Sequence, residues 1–238
     1  MDQGSSINSG KANAAYTLDL FREFKWSDGA GTLVQVSFPG IYPDLTRYAA
    51  ENDQAQVNQG QDSWKLSATQ VALNLAVHLL GWSTSSTPTV VSGGGTSDAN
   101  AVVNVRSANT GGGTITVTMS RLEGNTNGGI WIATDVTSKG FSITSPAVRD
   151  SISSPITIAG TDTAFAGVVG TVQVLDHLYN VIGHATTNVS NGNNRFSVSV
   201  TYKASFHGTQ EGLVVLLTEN SASGPPSGAV MEKELIGG

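Results

Sequence analysis

The C-terminal half of the chain is a succession of short strand-like segments, and this pattern constrains the fold more than any other feature. Between residues 195 and 202, apolar side chains alternate strictly with Ser and Thr, so one face is predicted to be core and the other solvated. Two Ser-Pro steps, Ser145-Pro146 and Ser154-Pro155, indicate where this all-β part begins. Seven short strands in a domain of about 100 residues favour a β-sandwich. The candidate strands are 141–144, 156–159, 171–176, 181–188, 195–202, 211–219 and 229–235.

One of these segments differs from the others because it is apolar on both faces. Residues 213–217 read Leu-Val-Val-Leu-Leu, without the alternation that a half-solvated strand shows. We therefore expect its second face to be covered, either by the N-terminal half of the chain or by a partner.

The best-specified element of the N-terminal half is a helix from Ser67 to Leu80. Ser67 and Gln70 form a capping box at its start, and Gly81 is the expected residue after its last turn. Apolar residues occupy most of its circumference, which predicts a helix that is packed on most sides.

Weaker patterns complete an α+β prediction for this half. Residues 14–26 and 43–58 are predicted to be helices, 32–38 a short strand, and 83–100 a Ser/Thr/Gly-rich loop. A β-meander is predicted to follow, with strands at 102–106, 114–121 and 130–136. The predicted domains are a flexible tether at 1–13, an α+β domain of helices on a small antiparallel sheet at 14–137, and an immunoglobulin-like β-sandwich at 141–236.

Composition excludes several classes of function. The 238 residues carry a net charge of −6, and the 12 Lys and Arg form no run or stripe, so nucleic acid is not an expected partner. The chain contains no cysteine, which excludes disulfides and thiol chemistry within it. No apolar stretch approaches the roughly 18 residues typical of a spanning helix, so no transmembrane segment is expected.

The tryptophans offer the main alternative to a purely structural interpretation. All four, Trp26, Trp64, Trp82 and Trp131, lie in the N-terminal half. Because such large side chains are usually buried, core packing is the favoured interpretation. The alternative is a groove lined by tryptophans that binds a carbohydrate or a peptide.

No pattern in the sequence predicts catalysis, and no catalytic, cofactor-binding or metal-binding residue is assigned. The histidines show no metal-ligand spacing, although His177 and His184 could converge across a hairpin whose turn Asp176 fixes through its side chain. The acidic residues of the weak helical region are interpreted as a solvated face rather than an acid/base pair. These acidic residues are Asp44, Glu51, Asp53 and Asp62.

Many small cues in the C-terminal half agree in order and spacing with a known family. They are Ile143-Thr144-Ser145-Pro146, residues 152–160, Val174-Leu175-Asp176, Val181-Ile182-Gly183, Phe196, Tyr202, Gly208-Thr209 and residues 219–222. Over residues 141–236 this pattern resembles the immunoglobulin-like domain of bacterial spore-germination proteins. The resemblance implies an exported, often lipid-anchored protein in which the domain is an accessory module without known catalytic residues. The N-terminal half resembles a domain that precedes this module in exported bacterial proteins of unknown function.

The sequence thus predicts a non-enzymatic protein with a binding or scaffolding role at a bacterial cell envelope, without a cofactor. Its expected partner is an envelope protein or a polysaccharide. The Ser/Gly/Asn-rich start of the chain is typical of a tether that follows a removed export signal, where a lipid-modified cysteine can precede Asp2. The expected location is therefore extracytoplasmic. The alternative function is that of a carbohydrate-binding module or a weak hydrolase that uses the Trp-rich half.

Overall fold

A computed structural model describes residues 22–125, 128–162, 169–188, 194–218 and 224–238. Strands take up 48% of these residues and helices 16%, so the fold is mostly β. The helices are α1 (Arg47–Asn58), α2 (Ala68–Leu80) and two short 3₁₀ helices, Ser63–Leu66 and Leu122–Gly124. The strands are β1 (Glu23–Ser27), β2 (Thr32–Val36), β3 (Thr87–Gly93), β4 (Asn100–Arg106), β5 (Thr114–Arg121), β6 (Trp131–Ser138), β7 (Phe141–Ser145), β8 (Ser151–Ile152), β9 (Ile156–Asp162), β10 (Val169–Leu175), β11 (Val181–Asn188), β12 (Arg195–Val200), β13 (Thr209–Thr218) and β14 (Gly228–Gly237).

A nine-stranded sheet runs through both halves of the chain. Its strands follow the order β11-β10-β13-β14-β6-β5-β4-β3, and β8 pairs in parallel with β14. The halves meet where Met231 of β14 pairs with Val136 of β6. The predicted domain boundary between residues 137 and 141 lies in the turn between β6 and β7. The large sheet contains strands from both sides of this boundary.

The C-terminal half forms a two-layer β-sandwich. The three-stranded sheet β12-β9-β7 covers one face of β10, β13 and β14. Buried apolar side chains from both sheets form one cluster between the layers, as expected for aligned sheet packing. Ile158 contributes from the small sheet, and Val172 and Val214 contribute from the large one.

A second cluster lies on the opposite face of the large sheet, under helix α2. Helix α2 packs on strands β3, β4 and β6 and buries residues such as Val71 and Leu75 in this cluster. The same cluster extends to Leu213 and Val215 of β13. The second face of the 213–217 segment is therefore covered by the N-terminal half, the first of the two predicted alternatives.

The predicted helix from Ser67 to Leu80 is confirmed together with its end signals. The Ser67 side chain accepts a hydrogen bond from the backbone N–H of Gln70 at 3.4 Å. Gly81 ends the helix in the left-handed region with φ 67°. Such a conformation strains any residue that carries a Cβ.

The prediction of an α+β N-terminal domain is wrong. This half contributes strands β3 to β6 to the large sheet, and its described residues form only two α-helices. The predicted helix over 14–26 fails in its described part, because Glu23–Ser27 forms a hairpin with Thr32–Val36 around a Gly-containing turn. Its earlier residues and the tether at 1–13 lie outside the described residues. The stretch predicted to be a loop contains strand β3. The prediction missed this strand because it lies at the edge of the sheet, where a strand needs few apolar residues.

A buried ion pair ties the N-terminal segment 37–45 to the last hairpin of the chain. The Nζ of Lys233 on β14 lies 3.1 Å from the Oε2 of Glu211 on β13, and both side chains are almost fully buried. Lys233 also donates to the backbone oxygens of Gly40 and Leu45. The Glu211 carboxylate accepts from the backbone N–H of Phe38 at 2.9 Å and from the Ser37 hydroxyl. We call these contacts the Lys233 clamp.

The Lys233 clamp generates a stability prediction. Lys233→Met should lower the free energy of unfolding by about 3–5 kcal/mol, because it leaves the Glu211 carboxylate buried without a counter-charge. The double variant Lys233→Met/Glu211→Gln should recover part of this loss, since no buried charge then remains at the site. Urea denaturation followed by circular dichroism measures both changes.

A matched control for this experiment is Lys203→Met, which alters an exposed lysine. It should change the free energy of unfolding by less than about 0.5 kcal/mol. Equal effects of the two lysine substitutions would contradict a structural role for the clamp.

Candidate functional site

A cleft of about 460 Å³ lies between the start of helix α1 and the turn that joins β10 to β11. We call it the Asp44 cleft. Its volume is within the range of small-molecule sites in proteins. The lining residues are Pro43, Asp44, Leu45, Thr46, Tyr48, Ala49, Asn52, His177, Leu178, Tyr179 and Gln210.

One wall of the cleft is the turn at residues 176–180, and a buried carboxylate organises it. The Oδ1 of Asp176 accepts hydrogen bonds from the backbone N–H groups of Leu178 and Asn180, each at 2.9 Å. These are the local side-chain to backbone bonds that make Asp a turn residue. The prediction that Asp176 fixes this turn is confirmed. The turn also holds Tyr179 in the left-handed region, with φ 63°.

The other wall is the segment at residues 40–46, which is held from both sides. The Tyr179 hydroxyl lies 2.8 Å from the backbone oxygen of Ile41 and 3.0 Å from that of Pro43. The Lys233 clamp binds the carbonyls of Gly40 and Leu45 in the same segment. Helix α1 then begins at a Thr46 cap, whose hydroxyl accepts from the N–H of Ala49 at 3.2 Å. Both walls are therefore anchored to the large sheet.

A group of carboxylates lies behind the cleft. Asp44 shares a hydrogen bond with Asp53 of helix α1, and Asp53 forms an ion pair with Lys65. The Nζ of Lys65 also lies 3.1 Å from Asp62. Burial raises the pKa of Asp44 to about 8, and the neighbouring charge of Asp53 adds to the shift. Asp44 is therefore mostly protonated at neutral pH.

The predicted solvated face is wrong for two of its four acidic residues. The Asp53 side chain is only 17% exposed, and Asp44 is largely buried behind the cleft. Glu51 is exposed, as predicted, and Asp62 is 47% exposed beside Lys65. The sequence pattern missed the difference because Asp44 precedes the helix and shares a cleft with the turn at 176–180, which lies far away in the chain.

Three residues that line the cleft carry buried polar atoms without a hydrogen-bond partner in the described part of the chain. The atoms are Oδ2 of Asp44, Nδ1 and Nε2 of His177, and Nε2 of Gln210. Gln210 is 1% exposed. Burial lowers the pKa of His177, and nearby Asp176 opposes the shift, so the imidazole is neutral at neutral pH. Such atoms normally find a partner, because each one left unpaired costs about 1–3 kcal/mol.

No groove lined by tryptophans is found among the described residues. Trp82 and Trp131 are 2% and 0% exposed and belong to the core. Trp64 packs partly buried against the cluster under α2, with its ring 6.5 Å from that of Tyr42. Trp26 is 57% exposed on β1, away from the other three. Core packing thus accounts for Trp64, Trp82 and Trp131.

The histidines that were considered as a pair do not share a site. His184 is an exposed residue of β11 opposite Gln173, whereas His177 lies in the turn at the cleft. His78 of α2 binds the Tyr42 hydroxyl through Nδ1 at 2.7 Å. Across the described ranges, no group of three or more His, Asp or Glu residues is arranged to hold a metal ion.

Sequence reasoning missed Gln210 entirely as a functional candidate. It is a single glutamine at the start of a strand, and such a residue carries no signal of its own. It reaches the cleft because β13 pairs with β10, whose end leads into the turn at 176–180.

Comparisons with known proteins do not identify a family. No protein-family model matches the chain, and no curated protein matches it. In the part of the chain that the structure describes, no helix is long and apolar enough to cross a membrane.

The raised pKa of Asp44 generates a prediction of pH dependence. The carboxyl ionises at about 8 in the folded protein and at its ordinary value of 3.8 in the unfolded chain, so between these values the folded state binds the additional proton. Stability should therefore fall as pH rises through this window, by at most about 1.4 kcal/mol per pH unit for this group. Asp44→Asn should remove this contribution and make the profile less steep between pH 5 and pH 8, where the raised pKa values of Glu232 and Glu234 leave a remaining slope.

Urea denaturation at several pH values measures this profile. Asn52→Ala changes a neutral residue of the same cleft and should keep the slope of the parent protein. A slope unchanged by Asp44→Asn would show that Asp44 titrates normally.

Proposed function

We propose that this protein is a non-enzymatic binding protein and that the Asp44 cleft is its ligand site. One observation supports this proposal above all others: four buried polar atoms without partners belong to residues that line a single ligand-sized cleft. A ligand that bonded these atoms would recover the free energy that their burial costs.

The anchoring of both walls supports binding. The turn is fixed by Asp176, and the opposite segment is fixed by Tyr179 and the Lys233 clamp. Preorganised walls lower the entropy that binding costs, because few main-chain groups need to be ordered by the ligand.

The chemistry of the lining groups favours binding over catalysis. The Thr46 hydroxyl caps helix α1, and the Tyr179 hydroxyl bonds backbone carbonyls, so both are engaged in the structure of the walls. Asp44 is bonded to Asp53, which is in turn paired with Lys65. This arrangement holds Asp44 neutral rather than poised to activate a nucleophile.

The cellular setting is proposed from the resemblance of residues 141–236. An exported protein at a bacterial cell envelope, with an immunoglobulin-like sandwich as an accessory module, is consistent with the two-layer sandwich of the C-terminal half. In this setting the Asp44 cleft would face small molecules or polymer ends outside the cytoplasm.

Ligand binding can be tested by two-dimensional NMR of the ¹⁵N-labelled protein against a library of small neutral, cationic and anionic compounds. A compound that binds should shift amide signals of residues 44–52, 177–180 and 210. Shifts confined to other parts of the protein for every compound that binds would contradict the assignment of the site.

A matched pair of variants sharpens this test. Leu178 lines the cleft and is 51% exposed, whereas Val181 is 49% exposed and lies on β11. Leu178→Ala should weaken binding about 5-fold, since it removes roughly 1 kcal/mol of apolar contact, and Val181→Ala should leave the affinity unchanged. Equal effects of the two substitutions would place the ligand elsewhere.

A further inference from the structure

We propose that the ligand of the Asp44 cleft is an uncharged molecule rich in hydroxyl groups, of the carbohydrate class. This inference rests on the proposed binding function and adds the chemistry of the ligand. It depends on the buried polar atoms of Asp44, His177 and Gln210 and not on the tryptophans.

The unpartnered atoms include both donors and acceptors. The Nε2 of Gln210 can only donate. A neutral imidazole donates from one ring nitrogen and accepts at the other, so His177 offers one of each. The Oδ2 of Asp44 belongs to a carboxyl that is mostly protonated at neutral pH, and such a carboxyl can both donate and accept. A hydroxyl group both donates and accepts, so a ligand with several hydroxyls can satisfy this mixed set.

Charge around the cleft disfavours ionic ligands. An anion would lie near the Asp53 carboxylate, and Lys65 is already paired with Asp53 and Asp62. The charge of Arg22 acts on His177, but its guanidinium is bonded to the backbone oxygens of His207 and Thr209. A cation would gain little from Asp44, which is mostly protonated at neutral pH, and it would leave the donors of Gln210 and His177 unsatisfied. An uncharged ligand avoids both costs.

The rim of the cleft suits the apolar face of a sugar ring. Tyr48 and Leu178 line it and are 46% and 51% exposed, so they offer an aromatic and an aliphatic surface beside the polar groups. Sugar rings present C–H groups on one face and hydroxyls around their edge, and aromatic side chains combine with few polar groups in many such sites.

The four polar atoms are buried, so rim side chains must shift before a ligand reaches them. Side-chain changes of this kind are common when proteins bind ligands, while the main chain moves little. The exposed positions of Tyr48 and Leu178 leave room for such a shift.

The experiment is an NMR titration of the full chain with matched sugars that differ only in charge. The probes are glucose, galactose and mannose, each with its 2-amino derivative and its uronic acid, plus N-acetylglycinamide as a peptide-like amide. At least one neutral sugar should shift the amide signals of residues 44–52, 177–180 and 210. Its charged counterparts should bind at least 10-fold more weakly.

The outcomes separate the two proposals. If only the amino sugars, the uronic acids or the amide shift the cleft signals, the proposed uncharged carbohydrate is overturned and the binding function stands. If none of the probes and none of the compounds in the wider library shifts these signals, both proposals are overturned.

One variant distinguishes a ligand-binding role of His177 from a structural one. His177→Phe keeps a planar ring and removes both unpartnered nitrogens, so it should weaken sugar binding at least 10-fold while the melting temperature of the free protein stays the same or rises. His184→Phe alters an exposed histidine outside the cleft and should leave binding unchanged. Unchanged binding by His177→Phe, or a fall in melting temperature with it, would overturn the role assigned to His177.

Discussion

The buried contact between Lys233 and Glu211 is the constraint on which the rest of the structure depends. It places two charges in the interior, where each would be very costly alone. The two charges form an ion pair with each other, and both also form hydrogen bonds with the backbone of residues 37–45. Burial lowers the pKa of Lys233 to about 8, with the charge of Glu211 opposing the shift, so the pair still carries charge at neutral pH. A segment without regular secondary structure is thereby fixed to the central hairpin of the fold. Hydrophobic contacts alone would hold it with less directional precision, because they do not depend on orientation.

The Asp44 cleft is a consequence of this anchoring. The segment that the clamp fixes leads directly into helix α1, and the hydroxyl of Tyr179 joins the same segment to the turn between β10 and β11. The cleft therefore lies between parts of the chain that are more than 120 residues apart and that are brought together by the large sheet. Because both walls are attached to rigid elements, their polar groups keep a defined position, which a site on free loops would not provide.

Local signals predicted the elements that have strong local causes. The capping box and Gly81 determine the ends of α2, and the alternation in β12 and the side chain of Asp176 act over a few residues. The N-terminal half was predicted less well, because strand β3 is held by its hydrogen bonds to β4 and has no apolar pattern of its own.

The site was the least predictable part. Asp44 and Gln210 line the same cleft only because β13 pairs with β10, which brings together parts of the chain that are distant in sequence. Neither residue type is unusual in its sequence context.

An unpartnered buried atom alone does not mark a binding site in this protein, as Trp131 demonstrates. Its Nε1 also lacks a partner in the described part of the chain, yet the ring is fully buried in the core with the Arg121 guanidinium 4.2 Å from its centroid. The cation contacts the face of the ring and offsets part of the cost at one isolated atom. At the Asp44 cleft, by contrast, residues from three separate parts of the chain that carry unpartnered polar atoms line a space large enough for a ligand. Natural proteins tolerate such local costs mainly at functional sites, since selection for stability alone would replace these groups with apolar ones. The combination of mixed polar groups, ligand-sized space and anchored walls is therefore what distinguishes this cleft from a packing defect.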